Sequence, residues 1–298
     1  MKKEIKNILL TPFNALYKIS PELEQRLMFR LKMGYRLDLR NPKTFNEKLN
    51  WLKINYRNDL LPRCADKYLA RGYIEECGFG EYLPKLYWHG TDPEDIPFES
   101  LPESFVIKST SGSGNNIIVK DKSQLNINQV KKQIKKWLRE KYLLAYGEWH
   151  YEQIKPSIII EEFLSDGVHM VPEDYKLFCF NNFMGGTANR VGCVAVDIGR
   201  LVEHKRNIYD ANFALMQEVS FGFDRDFEQT VNKPCCFNEM CAVASRLSRP
   251  FPHSRIDFFV IGERFYIGEI TFFNGAGYDR VTPDEYNLLM GSWIALPN

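Results

Sequence analysis

The stretch RIDFFVIGERFYIGEITFF, Arg255 to Phe273, carries the first chemical signal. Arg255 and Asp257 stand two residues apart, and so do Glu269 and Thr271. Side chains alternate with period two along a strand, so each pair falls on one face. A turn at Gly262 would fold the two runs into a hairpin and bring Asp257 beside Glu269. Neighbouring carboxylates repel unless a cation lies between them, and oxygen donors suit Mg²⁺. The alternative is a solvated pair on the polar face of a hairpin. Against it, the neighbours are Phe, Ile, Tyr and Gly, which would bury the acids.

A second signal is FVIKSTSGSGNNIIVK, Phe105 to Lys120, in which two hydrophobic runs flank a loop of small polar residues. Such residues let backbone N–H groups turn toward an anion, and Gly112 and Gly114 permit the positive φ that a cradle needs. Lys108, on the preceding strand, could reach the same anion as a point charge. A plain Gly-rich hairpin reads the same way on this stretch alone, and the spacing is neither a P-loop nor a dinucleotide fingerprint. A third signal is SIIIEEFL, an apolar strand ending in Glu161 and Glu162. Its free backbone groups beside an apolar wall could imitate a base-pairing edge, or the acids could mark an exposed strand end. The five histidines, His89, His150, His169, His204 and His253, have no metal spacing, and no G-x-S-x-G elbow is present.

Positioning these groups takes strands. YLPKLYW, SFVIKST, NIIVKD, SIIIEEFL, DYKLFCFNN, GCVAVDIG, IDFFVIG and RFYIGEITFF are rich in Ile, Val, Phe and Tyr. INQVKKQIKKWLREKYLLAYG and NEMCAVASRLSRP interrupt them as helices. Ahead of the strands the pattern is helical: Ser20 caps a helix starting at Pro21, and Thr44 caps another. DKYLARGYIEECG is a further short helix that stops at Gly78. The lysines of Lys131 to Lys141 alternate with Ile134, Trp137 and Leu138, which is a solvated face over a buried one. The expected fold is α+β, a helical head followed by mostly antiparallel strands with helices on one side.

The totals narrow the class. The 298 residues are enough for one large or two modest domains, and 44% hydrophobic with 26% charged is a globular composition. A net charge of +1 gives no general attraction to nucleic acid. Seven cysteines without a C-x-x-C pair suggest a reducing, cytoplasmic setting. No apolar run approaches the ~20 residues that span a bilayer. The first twenty residues, MKKEIKNILLTPFNALYKIS, read as a packing helix or a peripheral membrane helix, without a signal-peptide cleavage site.

Taken together and in order, these motifs resemble the ATP-grasp superfamily, and from Ala65 onward the chain resembles its teichuronopeptide-biosynthesis type. The resemblance implies two α+β subdomains, residues 65–165 and 166–298, gripping ATP between antiparallel sheets, after a helical extension over residues 1–64. It implies that Lys67 in DKYLAR and Lys108 reach the phosphates, with Ser111, Gly112, Ser113 and Gly114 in the loop that covers them. Glu161 would face the adenine amino group, with the Glu162 carbonyl, Phe163 and the Leu164 N–H along the base. Asp174 would meet the ribose, and Lys176 would look toward the phosphates. Arg255 would serve the transferred phosphoryl group, with Lys108 and Lys176 as the other catalytic cations. Asp257 and Glu269 would hold Mg²⁺, joined by Thr271 or, nearby, Asn274. The sequence departs from the superfamily in having Glu269-Ile-Thr271 for the usual Glu-x-Asn, and in lacking the N-terminal α/β domain. The activity implied is carboxylate–amine ligation through an acyl phosphate, with an ATP-dependent kinase or a glycosyltransferase-associated polysaccharide biosynthesis protein as the alternatives. The implied partners are a saccharide carboxylate such as a uronic acid and a small amine, at membrane-bound surface-polysaccharide machinery.

Overall fold

The computed structural model describes residues 2–167, 172–199, 203–226 and 228–297, without the side chains of residues 2–7, so that His169 lies outside it. Local caps start the N-terminal helices. After α1 (Lys2–Ile19), the Ser20 hydroxyl accepts from the Leu23 N–H at 3.4 Å and opens α2 (Pro21–Met33), with Pro21 in the first turn. Thr44 opens α3 (Phe45–Asn55) with a reciprocal box, its hydroxyl accepting from Glu47 N–H while the Glu47 carboxylate accepts from Thr44 N–H. DKYLAR is not one helix. Asp66 separates α4 (Leu60–Ala65) from α5 (Leu69–Glu76), its carboxylate accepting from the Tyr68 and Leu69 N–H groups at 2.8 and 2.9 Å. Lys67 therefore stands at a helix junction, where the motif had suggested a helix interior.

The chain then builds a four-stranded sheet from β1 (Leu86–Gly90), β2 (Phe105–Ser109), β3 (Asn116–Val119) and, after α6 (Ile127–Arg139), β4 (Ile158–Glu162). The order is β1-β4-β2-β3, antiparallel throughout. Val130, Ile134 and Trp137 of α6 pack with Phe105, Ile107, Ile158 and Ile160 into one core, while Lys131 and Lys135 pair with Glu94 at 2.7 Å on the outer side. The lysine-rich helix is thus a solvated face over a buried one. It stops at Arg139, not at Gly147 as its pattern suggested: Glu140 turns to extended backbone, and further on Leu144 donates its N–H to Asn14 Oδ1 of α1.

A second sheet has five strands in the order β10-β9-β5-β6-β7, again antiparallel. They are β5 (Asp174–Phe180), β6 (Arg190–Ile198), β7 (Lys205–Asp210) and, after the short β8 (Ser220–Phe221) and α7 (Phe237–Leu247), β9 (His253–Ile261) and β10 (Arg264–Thr271). β11 (Val281–Thr282) pairs with β8, and α8 (Asp284–Ser292) closes the chain. Central β5 is buried at every position. Each sheet has its own core, and a third, small cluster of Phe29, Met33 and Leu37 lies in the helical head. Phe45, Leu49, Leu52, Leu61 and Tyr73 share the core of the five-stranded sheet with Phe178, Phe180 and Ile256. Packing thus crosses residue 64, where the sequence drew a boundary.

Phe45 is the joint between head and sheet: fully buried, its ring lies 5.1 Å from His253, 5.8 Å from Phe221 and 6.1 Å from Phe180. Phe45→Ala should lower unfolding stability by about 3–5 kcal/mol, the cost of a large buried cavity, read as a drop in the urea midpoint at unchanged slope. A loss under about 1 kcal/mol would show that the head does not pack as described.

Candidate active site

Strand register brings a row of charges together on one face of the five-stranded sheet. Glu269 is the partner of Asp257, Asp257 of Lys176, Asp174 of Asp197, and Asp197 of Arg206. These residues come from β10, β9, β5, β6 and β7, so the row crosses the whole sheet. Its centre is Arg255. The guanidinium donates to both Asp257 oxygens at 2.6 and 2.7 Å, to Glu269 Oε1 at 3.3 Å, to Thr271 Oγ1 at 3.2 Å and to Asn274 Oδ1. Lys176 donates to Asp257 at 2.9 Å and to Asp174, and lies 3.5 Å from Asp197. Arg206 holds Asp197 with two bonds, at 2.5 and 3.1 Å. The expected convergence of Asp257 and Glu269 on adjacent antiparallel strands is present.

A cleft of about 640 Å³, solvent at its mouth included, separates this row from the first sheet. Its walls are Asp174, Asp257, Phe259, Gly268 and Glu269 on one side, and Lys67, Lys108 and the loop from Gly112 to Asn116 on the other. Gly112 and Gly114 sit at φ +70 and +79 with open space where a Cβ would go, so glycine is needed there for conformation rather than for room. The base of the loop is pinned: Thr110 donates its N–H to Ser157 O at 2.9 Å and lends its carbonyl to Lys67 N–H at 3.0 Å. Lys67 Nζ donates to Gly112 O at 2.7 Å and approaches Glu269 to 3.9 Å. It links the two walls.

Several sequence expectations change here. Glu161 does not present a free carboxylate to a base, because Arg71 and Lys108 occupy its two oxygens at 2.7 and 2.8 Å. Lys108 lines the cleft but is paired there. Lys176 is 4% exposed and does not line the cleft; it lies beneath, bracing Asp174 and Asp257. Thr271 Oγ1 and Asn274 Oδ1 both accept from Arg255, and Asn274 is buried, with its Nδ2 donating to Asp279 at 2.8 Å. Glu162 ends β4 with its N–H donated to Lys85 O at 2.9 Å, Phe163 has Lys120 Nζ 5.9 Å from its ring centre, and Leu164 is half-buried. Ser111 and Ser113 lie in the loop, Ser113 on the cleft wall. Arg71, Asp197, Arg206 and Asp279 were missed. A lone Asp in the apolar run GCVAVDIG was a usable signal for Asp197; KRNIYD is too polar to announce a buried strand.

Burial and charge set the protonation states. Burial would push the Asp257 carboxyl up, but Arg255 and then Lys176 outweigh it and hold it below the ordinary range. Asp197 is lowered in the same way by Arg206 and Lys176 against its burial. Burial would lower Lys176, and Asp174 and Asp257 raise it instead. Asp279 is raised, mainly by burial. Around Lys176, Arg206 and Arg255 stand the four acids of the row, Asp174, Asp197, Asp257 and Glu269, with Asp279 beside Arg206, and Glu269 is the most exposed at 37%. Among the described residues no group of three or more His, Cys, Asp and Glu forms a metal cage. The donors present still fit Mg²⁺, which characteristically takes one or two carboxylates and completes its shell with phosphate oxygens and water.

Residues 47–295 match the model of a family described as TupA-like ATPgrasp. No curated protein matches the chain. Among solved structures it resembles N5-carboxyaminoimidazole synthetase from Staphylococcus aureus complexed with ADP, at 11% identity over 86% of this chain and 61% of that one, TM-score 0.47. It also resembles D-alanine-D-alanine ligase from Helicobacter pylori, at 15% identity over 86% and 70%, TM-score 0.46. The D-alanine–D-alanine ligase from Bacillus anthracis complexed with ATP matches at 13% identity over 70% and 54%, TM-score 0.41. The chain therefore spans little more than half of the last protein and under two thirds of the first.

The two acids should separate in stability. Asp257→Asn strips a buried carboxylate from Arg255 and Lys176 and should cost about 3–5 kcal/mol, whereas half-exposed Glu269→Gln should change the urea midpoint little. Equal losses would contradict this division. Because the folded-state pKa values of Asp257 and Asp197 are depressed, their stabilisation is present above the unfolded value and lost as pH falls. Unfolding stability should accordingly decline between about pH 5 and pH 2, and Asp257→Asn should flatten that decline.

Proposed function

The chain belongs to the TupA-like ATP-grasp family, and from that premise we propose that it is an ATP-dependent carboxylate–amine ligase. The observation that carries the reading is the cleft, with Asp257 and Glu269 on paired strands facing a glycine loop flanked by Lys67 and Lys108, and with Arg255 bonded to both acids. In this reading the triphosphate lies under the loop, whose backbone N–H groups and two lysines offset its charge. The base runs along Glu162, Phe163 and Leu164, the ribose meets Asp174, and Glu161 serves as an anchor that fixes Lys108 through their 2.8 Å bond. Asp257 and Glu269 would hold Mg²⁺, which when bound neutralises charge on the phosphate oxygens. Arg255 is oriented by its bonds to Asp257, Thr271 and Asn274 so that charge is already in position for the transferred phosphoryl group. Lys176 acts from beneath as a positioning residue.

The reaction follows in two displacements. An oxygen of the substrate carboxylate bonds to the γ-phosphorus as its bond to the β–γ bridging oxygen breaks, and ADP leaves. The amine nitrogen then attacks the acyl carbon, loses a proton, and phosphate departs to leave an amide. The protein contributes mainly position and charge in such a transfer. The resemblance to the teichuronopeptide type supports a uronic acid of a bacterial surface polysaccharide as the carboxylate, with an amino acid or small amine as acceptor. It supports a cytoplasmic setting beside membrane-bound polysaccharide machinery.

Hydroxylamine tests the acyl phosphate. With ATP and a uronic acid but no amine, it should be captured as a hydroxamate with release of ADP. A stable phosphorylated acceptor without hydroxamate would replace the ligase by a kinase. Glu269→Gln should lower kcat by ~10²-fold or more, about 2.7 kcal/mol of transition-state stabilisation, while ATP binding weakens far less. Near-normal turnover in that variant would remove Glu269 from the mechanism.

A further inference from the structure

The outward faces of α1 and α2 are apolar where helices on the outside of a body are ordinarily polar. On α2, Leu23, Leu27 and Leu31 recur every fourth residue and are 48%, 43% and 68% exposed. At the end of α1, Ile19 is 82% exposed, and near its start Ile8 and Leu9 are 70% and 68% exposed. The inward face of α2 is already occupied, with Met28, Phe29 and Met33 buried beside Glu24 and Gln25. Packing within the chain therefore does not account for the outer row of leucines.

Charge indicates what covers it. Residues 1–40 hold nine Lys and Arg against four Asp and Glu, a net +5, and since the whole chain is only +1 the remaining residues carry a net −4. Lys18 of α1, Arg30 and Lys32 of α2 and Arg36 just after it are exposed. We propose that α1 and α2 seat on an anionic lipid bilayer, with Leu23, Leu27, Leu31 and Ile19 entering the headgroup–acyl boundary and the basic side chains meeting the phosphates. Apolar burial and electrostatic attraction act together in such binding. The seat lies on the membrane and not through it, since among the described residues no helix is long and apolar enough to cross one. A second copy of the chain is the poorer occupant, because each copy would bring the same positive surface to the contact. The inference stands apart from the ligase reading and is tested without any measure of activity.

The full chain should co-sediment with vesicles of phosphatidylcholine and phosphatidylglycerol, with binding weakened at least about tenfold on phosphatidylcholine alone or in high salt. The triple variant Leu23→Gln, Leu27→Gln, Leu31→Gln should lose vesicle binding while its unfolding midpoint stays near that of the parent, because all three side chains are exposed. Arg30→Glu with Lys32→Glu should lose the preference for the anionic lipid. Absence of binding by the parent chain, equal binding to both vesicles, or undiminished binding by the leucine variant would each overturn the proposal. So would a parent dimer in sedimentation that the leucine substitutions dissolve, with no vesicle binding, since a second copy would then be the occupant.

Discussion

Arg255 and Asp257 share two short hydrogen bonds at the centre of a buried sheet, at 8% and 3% exposure, and the rest of the molecule is arranged around that pair. Removing both charges from water is costly, and the cost is recovered only when every remaining donor and acceptor finds a partner. Lys176 satisfies the second side of Asp257, Thr271 and Asn274 take up the remaining guanidinium bonds, and Asp174 and Asp197 balance Lys176. A slip of one residue in β9 or β10 would turn these charges into the opposite, apolar face and expose phenylalanines instead. The same interaction therefore sets the register of the sheet and the geometry of the cleft.

The two sheets divide the electrostatic work. The five-stranded sheet presents carboxylates, and the four-stranded sheet with the α4–α5 junction presents Lys67 and Lys108. They meet through the Lys67 contacts with Gly112 and Glu269. In the proposed function this opposition is what a triphosphate and its metal need, since cations face phosphate oxygens while acids face the metal. The N-terminal helices α3 and α4 lie against the five-stranded sheet. Those helices are bound into the five-stranded core by Phe45, Leu49 and Leu61 and are part of the structure that holds the cleft.

What the sequence determined alone is what short-range geometry decides. Period-two alternation put Arg255 with Asp257 and Glu269 with Thr271, and the turn at Gly262 paired them, since a hairpin needs no information from elsewhere in the chain. Ser20 and Thr44 marked helix starts because a cap acts over three residues. Gly112 and Gly114 announced a loop needing positive φ. Tertiary structure decided the rest, because those partners are distant in sequence. Arg71 reaches Glu161 across 90 positions and turns an expected base contact into an ion pair. Lys176 meets Asp257 across 81 positions and becomes a buried brace in place of a phosphate ligand. Alternation tells which face of a strand a side chain takes, but only the packing of one element on another tells which charge waits there, and in a low-dielectric interior that neighbour decides whether the group is a ligand or a support.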